Sequence, residues 1–311
     1  MSTSSPIVNL HKLISGAPSY MAQEQTASLK FTCESKNVLI EFTDQDISPR
    51  VGPDNNGQHV VTIGNPYLER MWSHTYFHIC ITDKLWNMSR GTLNPSSAHE
   101  YNMSETHLNW ALNPERAPWP IPSGFPVEYT DPISLIDKTT ELFLCSCGFV
   151  IHHEVSHVED ANWHSMQDYE SSRNEEKIAD FSAFMRILPH DDIEWKLREK
   201  RCLGIVNWYL CSVAMLIHHV KFSTALSAGV LGEETHPRIT KRLRWFLTLI
   251  YKNGSKEMQA ASMVWIVVQY LLSKFSVPHS IKESTNLELA IELLDLTDSW
   301  IDSIAKNKKR S

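Results

Sequence analysis

One five-residue run constrains this chain more than any other feature. It is His153-Glu154-Val155-Ser156-His157, inside the apolar stretch Leu142–Val158. In an α-helix, residues i and i+4 share a face and stand about 6 Å apart. A helix here turns His153 and His157 toward one metal ion. Glu154 is rotated by about 100° on the same helix, so its carboxylate stands beside the ion rather than on it. That is where a general base for water belongs. Leu142, Phe143, Leu144, Phe149, Val150, Ile151, Val155 and Val158 predict that the helix is buried. The competing reading is a buried helix with two incidental histidines, because the pattern fixes only three residues and the chain holds 15 His.

With 311 residues and 42% hydrophobic content, the chain can bury the core of one large domain or two modest ones. Its net charge of −7 argues against nucleic acid as a partner, which needs a basic field. Six cysteines form no C-x-x-C pair. Cys145 and Cys147 read as small buried hydrophobes rather than ligands. This usage suits a reducing cytoplasm, and Met1–Leu10 lacks a signal-peptide pattern. Cys202–Val220 and Met258–Ser273 carry no Asp, Glu, Lys or Arg. Both read as helices of a soluble core, with peripheral membrane contact as the alternative.

The expected fold is α+β and predominantly helical. Residues 1–130 form an N-terminal portion containing β-structure, and residues 131–311 a helical catalytic portion. Leu29–Cys33 and Val38–Phe42 suggest a hairpin about a turn at Glu34–Asn37. Ser48–Gln58 reads as a loop and Val60–Ile63 as a short strand. Pro66–Thr82 is ambiguous between helix and strand. The proline-rich stretch 86–131 reads as loop, apart from a short helix at Glu105–Leu112. Asp131-Pro132 looks like a helix start. Glu175–Leu188 shows an apolar stripe at Ile178, Phe181, Met185 and Leu188. Asp191-Asp192 caps the next helix, and Thr240–Tyr251 and Asn286–Ile304 complete the helical series.

Two histidines do not complete a catalytic zinc site, which takes three protein ligands and a water. His164 is one candidate. The metzincin spacing, however, needs Gly at 160 and His at 163, where this chain has Asp160 and Trp163. The segment from Ser172 to Asp180 is the better source. Glu176 and Asp180 share a helical face, so Glu176 can supply a carboxylate oxygen. Asp180 can accept the far N–H of His153 or His157, and the small Ala179 lets two helices approach. An acid-rich helix start is also common for dipole reasons alone.

H-E-x-x-H followed by S-R-x-x-E-x-x-A-D resembles the gluzincin metallopeptidases of the CAAX-prenyl-protease and HtpX type. That resemblance makes Glu176, not Glu175, the third ligand. A further block, Thr235-His236-Pro237-Arg238-Ile239-Thr240-Lys241-Arg242, is similar to their S/T-H-P-x-x-x-x-R segment. It implies that His236 and Arg242 lie near the zinc and bind the substrate carbonyl or the oxyanion. Taken alone, Pro237 is a good first-turn residue and Arg242 a surface charge. The resemblance spans roughly residues 140–245. Lacking clear spanning helices, the chain looks more like the family of the phage-exclusion peptidase Lit, whose activity cleaves a translation elongation factor during phage infection. The implied protein is a zinc-dependent endopeptidase with one zinc per chain on His153, His157 and Glu176. Glu154 is then the general base and a protein the substrate. The alternatives are a zinc hydrolase of a non-protein substrate and a non-catalytic helical interaction protein.

Overall fold

The structure is a computed structural model that describes residues 5–21, 38–89, 91, 95–121, 125, 134–159, 169–188, 195–222, 237–252, 258–280 and 285–308. A 3-10 turn, Pro6–Leu10, leads into α1 (His11–Met21). Three strands follow: β1 (Val38–Thr43), β2 (Arg50–Pro53) and β3 (His59–Gly64). The remaining described elements are helical. They are α2 (Asn65–Ser89), α3 (Pro95–Leu112), α4 (Leu135–Glu159), α5 (Tyr169–Ile187), α6 (Trp195–Phe222), α7 (Ile239–Lys252), α8 (Met258–Lys274) and α9 (Asn286–Lys308). The fold is thus predominantly helical with one small sheet.

The sheet order is β1-β3-β2, with β1 parallel and β2 antiparallel to β3. The expected partner strand at Leu29–Cys33 lies outside the described residues, and β1 pairs instead with β3. The expected loop at Ser48–Gln58 is half strand. Arg50–Pro53 pairs with His59–Thr62, and only Asp54–Gln58 turns the chain. Asp54 organises that turn by accepting the N–H groups of Asn56 and Gln58, each at 2.8 Å. Gly57, at φ 77°, occupies a backbone region that a side chain disfavours. At the far end, a Cβ on Gly64 would lie 2.5 Å from the Gln45 carbonyl oxygen and 2.6 Å from that of Ile47. Gly64 therefore lets the 44–49 connection pack flat on the sheet. Arg70 clamps Asp46 with two nitrogens, and Asn65 donates to Asp44 at 2.8 Å.

Helix α4 begins where Ser134 and Asp137 cap one another. The Asp137 N–H donates to Ser134 Oγ, and Ser134 N–H donates to Asp137 Oδ2. The proposed start at Asp131-Pro132 lies outside the described residues. The helix then runs unbroken through the H-E-x-x-H run to Glu159. Two hydrophobic clusters flank it. One joins Ile7, Leu10, Val61, Ile63, Trp72 and Ile151. The other joins Phe77, Leu108, Phe149, Phe184 and Tyr209 to α7, α8 and α9. Both draw residues from each side of position 130. The α4–α6 crossing is close: a Cβ on Gly204 would fall 2.4 Å from Cys145 Cβ, and Ser146 Oγ donates to the Gly204 carbonyl at 2.7 Å.

Two further sequence expectations need correction, and one ambiguity is resolved. Pro95–Leu112 is one helix, although its apolar residues are too sparse to show a stripe. Asn65–Ser89 is helical throughout, which settles the ambiguity at Pro66–Thr82. On α5 the expected stripe points partly outward, with Ile178 and Phe181 exposed. The buried face is Ala179, Ala183, Phe184 and Ile187. One described helix, Arg198–Phe222, is long and apolar enough to cross a membrane. Its most apolar window is 61% buried, so it packs as a core helix.

Helix α2 carries His74 and His78, one turn apart and both fully buried. Burial pushes His78 down to about 4, partly offset by its hydrogen bond to Asn207, and pushes His74 well below the ordinary imidazole range. Both are therefore neutral in the fold and must charge on acid unfolding. A depressed folded pKa gives stability that is full above pH about 6.5 and lost as pH falls toward about 4. For His78 the loss reaches roughly 3 kcal/mol. His78→Gln should flatten the decline between pH 6.5 and 4 in urea-unfolding midpoints; a decline as steep as the parent's would show that His78 does not drive it.

Candidate active site

Helix α4 presents His153 and His157 on one face, and α5 brings Glu175, Glu176 and Asp180 across from it. All five side chains are buried. Ala179 lies between the acids on α5 and is 2% exposed, so the helices meet without a bulky spacer. His153 Nε2 lies 3.3 Å from His157 Nε2. Each is 3.5 Å from an oxygen of Glu176. One ligand atom from each of the three residues falls within 4.8 Å of the others. Among the described residues this is the one cluster of His, Cys, Asp or Glu with that property.

The far sides of both rings face carboxylates. His153 Nδ1 is 3.1 Å from Asp180 Oδ1, and His157 Nδ1 is 2.8 Å from Glu175 Oε1. Protons held at the Nδ1 positions leave both Nε2 lone pairs aimed at one point, together with the Glu176 oxygens. Converging lone pairs repel, and a cation removes the repulsion. The donor set therefore fits a metal ion. The electrostatics agree. Burial disfavours the imidazolium of His153, but Asp180 and Glu176 outweigh it and lift the pKa to about 10. His157, buried beside His153, moves down instead. Metal-free, the surrounding carboxylates favour one positive charge on the histidine pair.

Arg242, from the first turns of α7, closes the site. Its Nε and Nη2 donate to Asp180, both at 2.7 Å, and its Nη1 lies 3.2 Å from Glu176 Oε2. Burial alone would raise the Asp180 carboxyl. Arg242 and His153 reverse that and hold it below the usual carboxylate range. One turn earlier, Arg238 and Thr240 bind Asp298 of α9, which fixes the start of α7. His236 lies outside the described residues, as does His164.

A cleft of about 320 Å³ opens over these groups. Pro49, Arg50 and Val51 of the β2 region line it, with Trp208 of α6 and the site residues themselves. Trp208 is fixed by a hydrogen bond from its indole N–H to the Tyr67 hydroxyl at 2.9 Å, and its ring lies 5.4 Å from the Arg242 guanidinium. Glu154 also lines the cleft. Burial raises its pKa. Sequence reasoning missed Glu175, Trp208 and the 49–51 segment. The Glu175-Glu176 doublet was a usable signal, because a one-residue offset serves two rings that are themselves one turn apart. Nothing in the local sequence marked the other two.

Arg242 is the counter-charge of a buried carboxylate that already serves His153. Arg242→Ala should lower the unfolding free energy by about 3–5 kcal/mol, the cost of a buried charge left without its partner. Arg242→Lys should recover only part of it, lacking the fork that binds both oxygens. Guanidinium unfolding of the three proteins measures this, and an alanine variant as stable as the parent would contradict the arrangement.

The peptidase U49 family model matches residues 61–263, a span that holds His153, Glu154, His157, Glu176, Asp180 and Arg242. The cell death peptidase of Escherichia coli (strain K12) is 24% identical over 278 residues, covering 86% of this chain and 89% of that protein. No solved structure gives a significant match. The family match takes in more than half of the chain and the whole of the histidine–carboxylate cluster, so the chain belongs to the peptidase U49 family.

Proposed function

We propose that this peptidase is a zinc-dependent endopeptidase with one zinc per chain, held by His153, His157 and Glu176. The observation that carries the reading is the convergence of two Nε2 atoms and a carboxylate, each ring backed by its own carboxylate. Two imidazoles and one carboxylate form a donor set that suits zinc and leaves a position open. When bound, zinc supplies an acidified water, with a pKa near about 7, and polarises the scissile carbonyl.

The chain's own residues do the rest. Glu154 stands at the cleft beside the ligands, and its burial moves its pKa toward the working range of a general base. In this reading it takes the proton of the attacking water and delivers it to the leaving amine. Asp180 and Glu175 fix the ring orientation and tautomer of the two histidines. Arg242, engaged with Asp180 and Glu176, holds the third ligand in place and adds positive charge near the developing oxyanion. The resemblance to the gluzincins adds His236 as a second group for that oxyanion. The further step, that the substrate is a host protein such as a translation factor cleaved during phage infection, rests on the resemblance to the phage-exclusion peptidases.

Glu154→Gln should abolish cleavage while zinc content stays at one per chain. Glu176→Ala should lose the metal. Glu175→Ala should keep it with affinity weakened about 10–100-fold, as expected for loss of a group that orients a ligand. Metal analysis after dialysis against graded chelator separates these outcomes. A Glu154→Gln protein as active as the parent would remove the general-base assignment.

A further inference from the structure

Helix α5 has two apolar faces, and the core takes up only the inner one. Ala179, Ala183, Phe184 and Ile187 are buried, whereas Ile178 and Phe181 are 44% and 45% exposed. Trp245 of α7, 39% exposed, extends the outer face. Its ring lies 6.4 Å from that of Phe181 and 5.3 Å from that of Phe184. Single exposed apolar residues are ordinary. Three large ones gathered across two helices mark a surface that meets another molecule.

The two helices run side by side in the same direction. Arg242 meets Glu176 and Asp180, and one turn on, Trp245 and Phe246 meet Phe181 and Phe184. Residues i and i+4 share a helix face. Lys177 therefore stands one turn before Phe181, and Lys241 one turn before Trp245. Both lysines are exposed. The patch is thus polarised, with two ammonium groups at one end and the rings about 6 Å further along. The charged end is the end at the cleft, because Glu176 and Arg242, the sequence neighbours of these lysines, line it. The arginines nearby are committed, Arg242 to Glu176 and Asp180, and Arg244 to Asp295 and Asp298. Among the described residues no carboxylate pairs with Lys177 or Lys241. In a chain of net charge −7 this is a local cationic rim.

We propose that the α5–α7 face is an exosite for the protein substrate. It takes an acidic group against Lys177 and Lys241, and a large apolar side chain one turn away against Ile178, Phe181 and Trp245. Naming the substrate as occupant rests on the endopeptidase reading. Charge complementarity sets the acidic group. Continuity with the cleft sets the occupant: a segment held here leaves the rest of its chain within reach of the histidine–carboxylate cluster. A short peptide fills the cleft alone, whereas a protein also engages this face. The contact touches no reacting atom, so it acts on KM rather than on kcat.

The first test needs no turnover. Fluorescein-labelled β-casein, an acidic unfolded protein, is titrated with the zinc-loaded full chain carrying Glu154→Gln. Two pairs of substitutions at exposed positions are then added to it, Lys177→Glu with Lys241→Glu and Ile178→Ser with Phe181→Ser. Each pair should raise Kd by anisotropy about tenfold. Casein left unbound by the starting protein, or bound equally by the variants, would overturn the proposal. With Glu154 restored, each pair should raise KM for casein about tenfold with kcat little changed, and leave cleavage of a random octapeptide library as it was. Equal losses on casein and on octapeptides would overturn it. So would variants that keep casein binding but lose binding to phosphatidylglycerol vesicles, or lose a dimer seen by sedimentation, since the face then serves a membrane or a second copy. A parent that binds casein through this face yet cleaves neither casein nor octapeptides contradicts the endopeptidase reading, and with it the occupant named here.

Discussion

The Asp180 carboxylate is the constraint on which the rest of the site depends. It is 1% exposed, and it meets Arg242 through two nitrogens on one side and His153 on the other. A charge at that depth is tolerated only with its partners in place. Its burial therefore fixes three helices relative to one another: α4, which carries the histidines; α5, which carries the acids; and α7, which carries the arginine. α9 secures α7 in turn through Asp298. The geometry of the histidine–carboxylate cluster is then a consequence of an electrostatic tie just behind it.

The histidine pair is asymmetric for the same electrostatic reason. His153 is drawn toward the charged form by Asp180 and Glu176, whereas His157, next to it, is drawn toward the neutral form. Two imidazoles whose Nε2 atoms lie 3.3 Å apart in a buried site do not both take the charged form. The site favours one positive charge on the pair, and that preference is built from carboxylates on α5 rather than from the histidine motif. Cys145 and Cys147, further up α4, take no part. Both are buried free thiols, and burial pushes Cys145 up to about 12.

Much of this was legible in the sequence, because helical periodicity is a local property. The i, i+4 relation put His153 with His157 and Glu176 with Asp180 before any tertiary contact was known. The sheet was less legible for a physical reason. β2 is a four-residue edge strand with Pro53 at its end and Pro49 just before it. Prolines are tolerated there because the N–H they lack would face away from β3, yet in sequence they read as loop. Helix α3 was hidden differently: its apolar residues are too few to draw a stripe. The face of α5 was misjudged because its inward residues are small or acidic, Ala179, Ala183, Glu176 and Asp180, while Ile178 and Phe181 stay outside. The Glu175–His157 pairing depends on how two helices cross, which neither helix encodes alone.

In the proposed function, α4 and α5 together build a two-histidine, one-carboxylate metal centre. Zinc K-edge X-ray absorption on the zinc-loaded protein tests it most directly. The first shell should be nitrogen and oxygen only, with outer-shell scattering from two imidazoles and none from sulfur. A sulfur shell, or a signal carrying one imidazole or none, would contradict it.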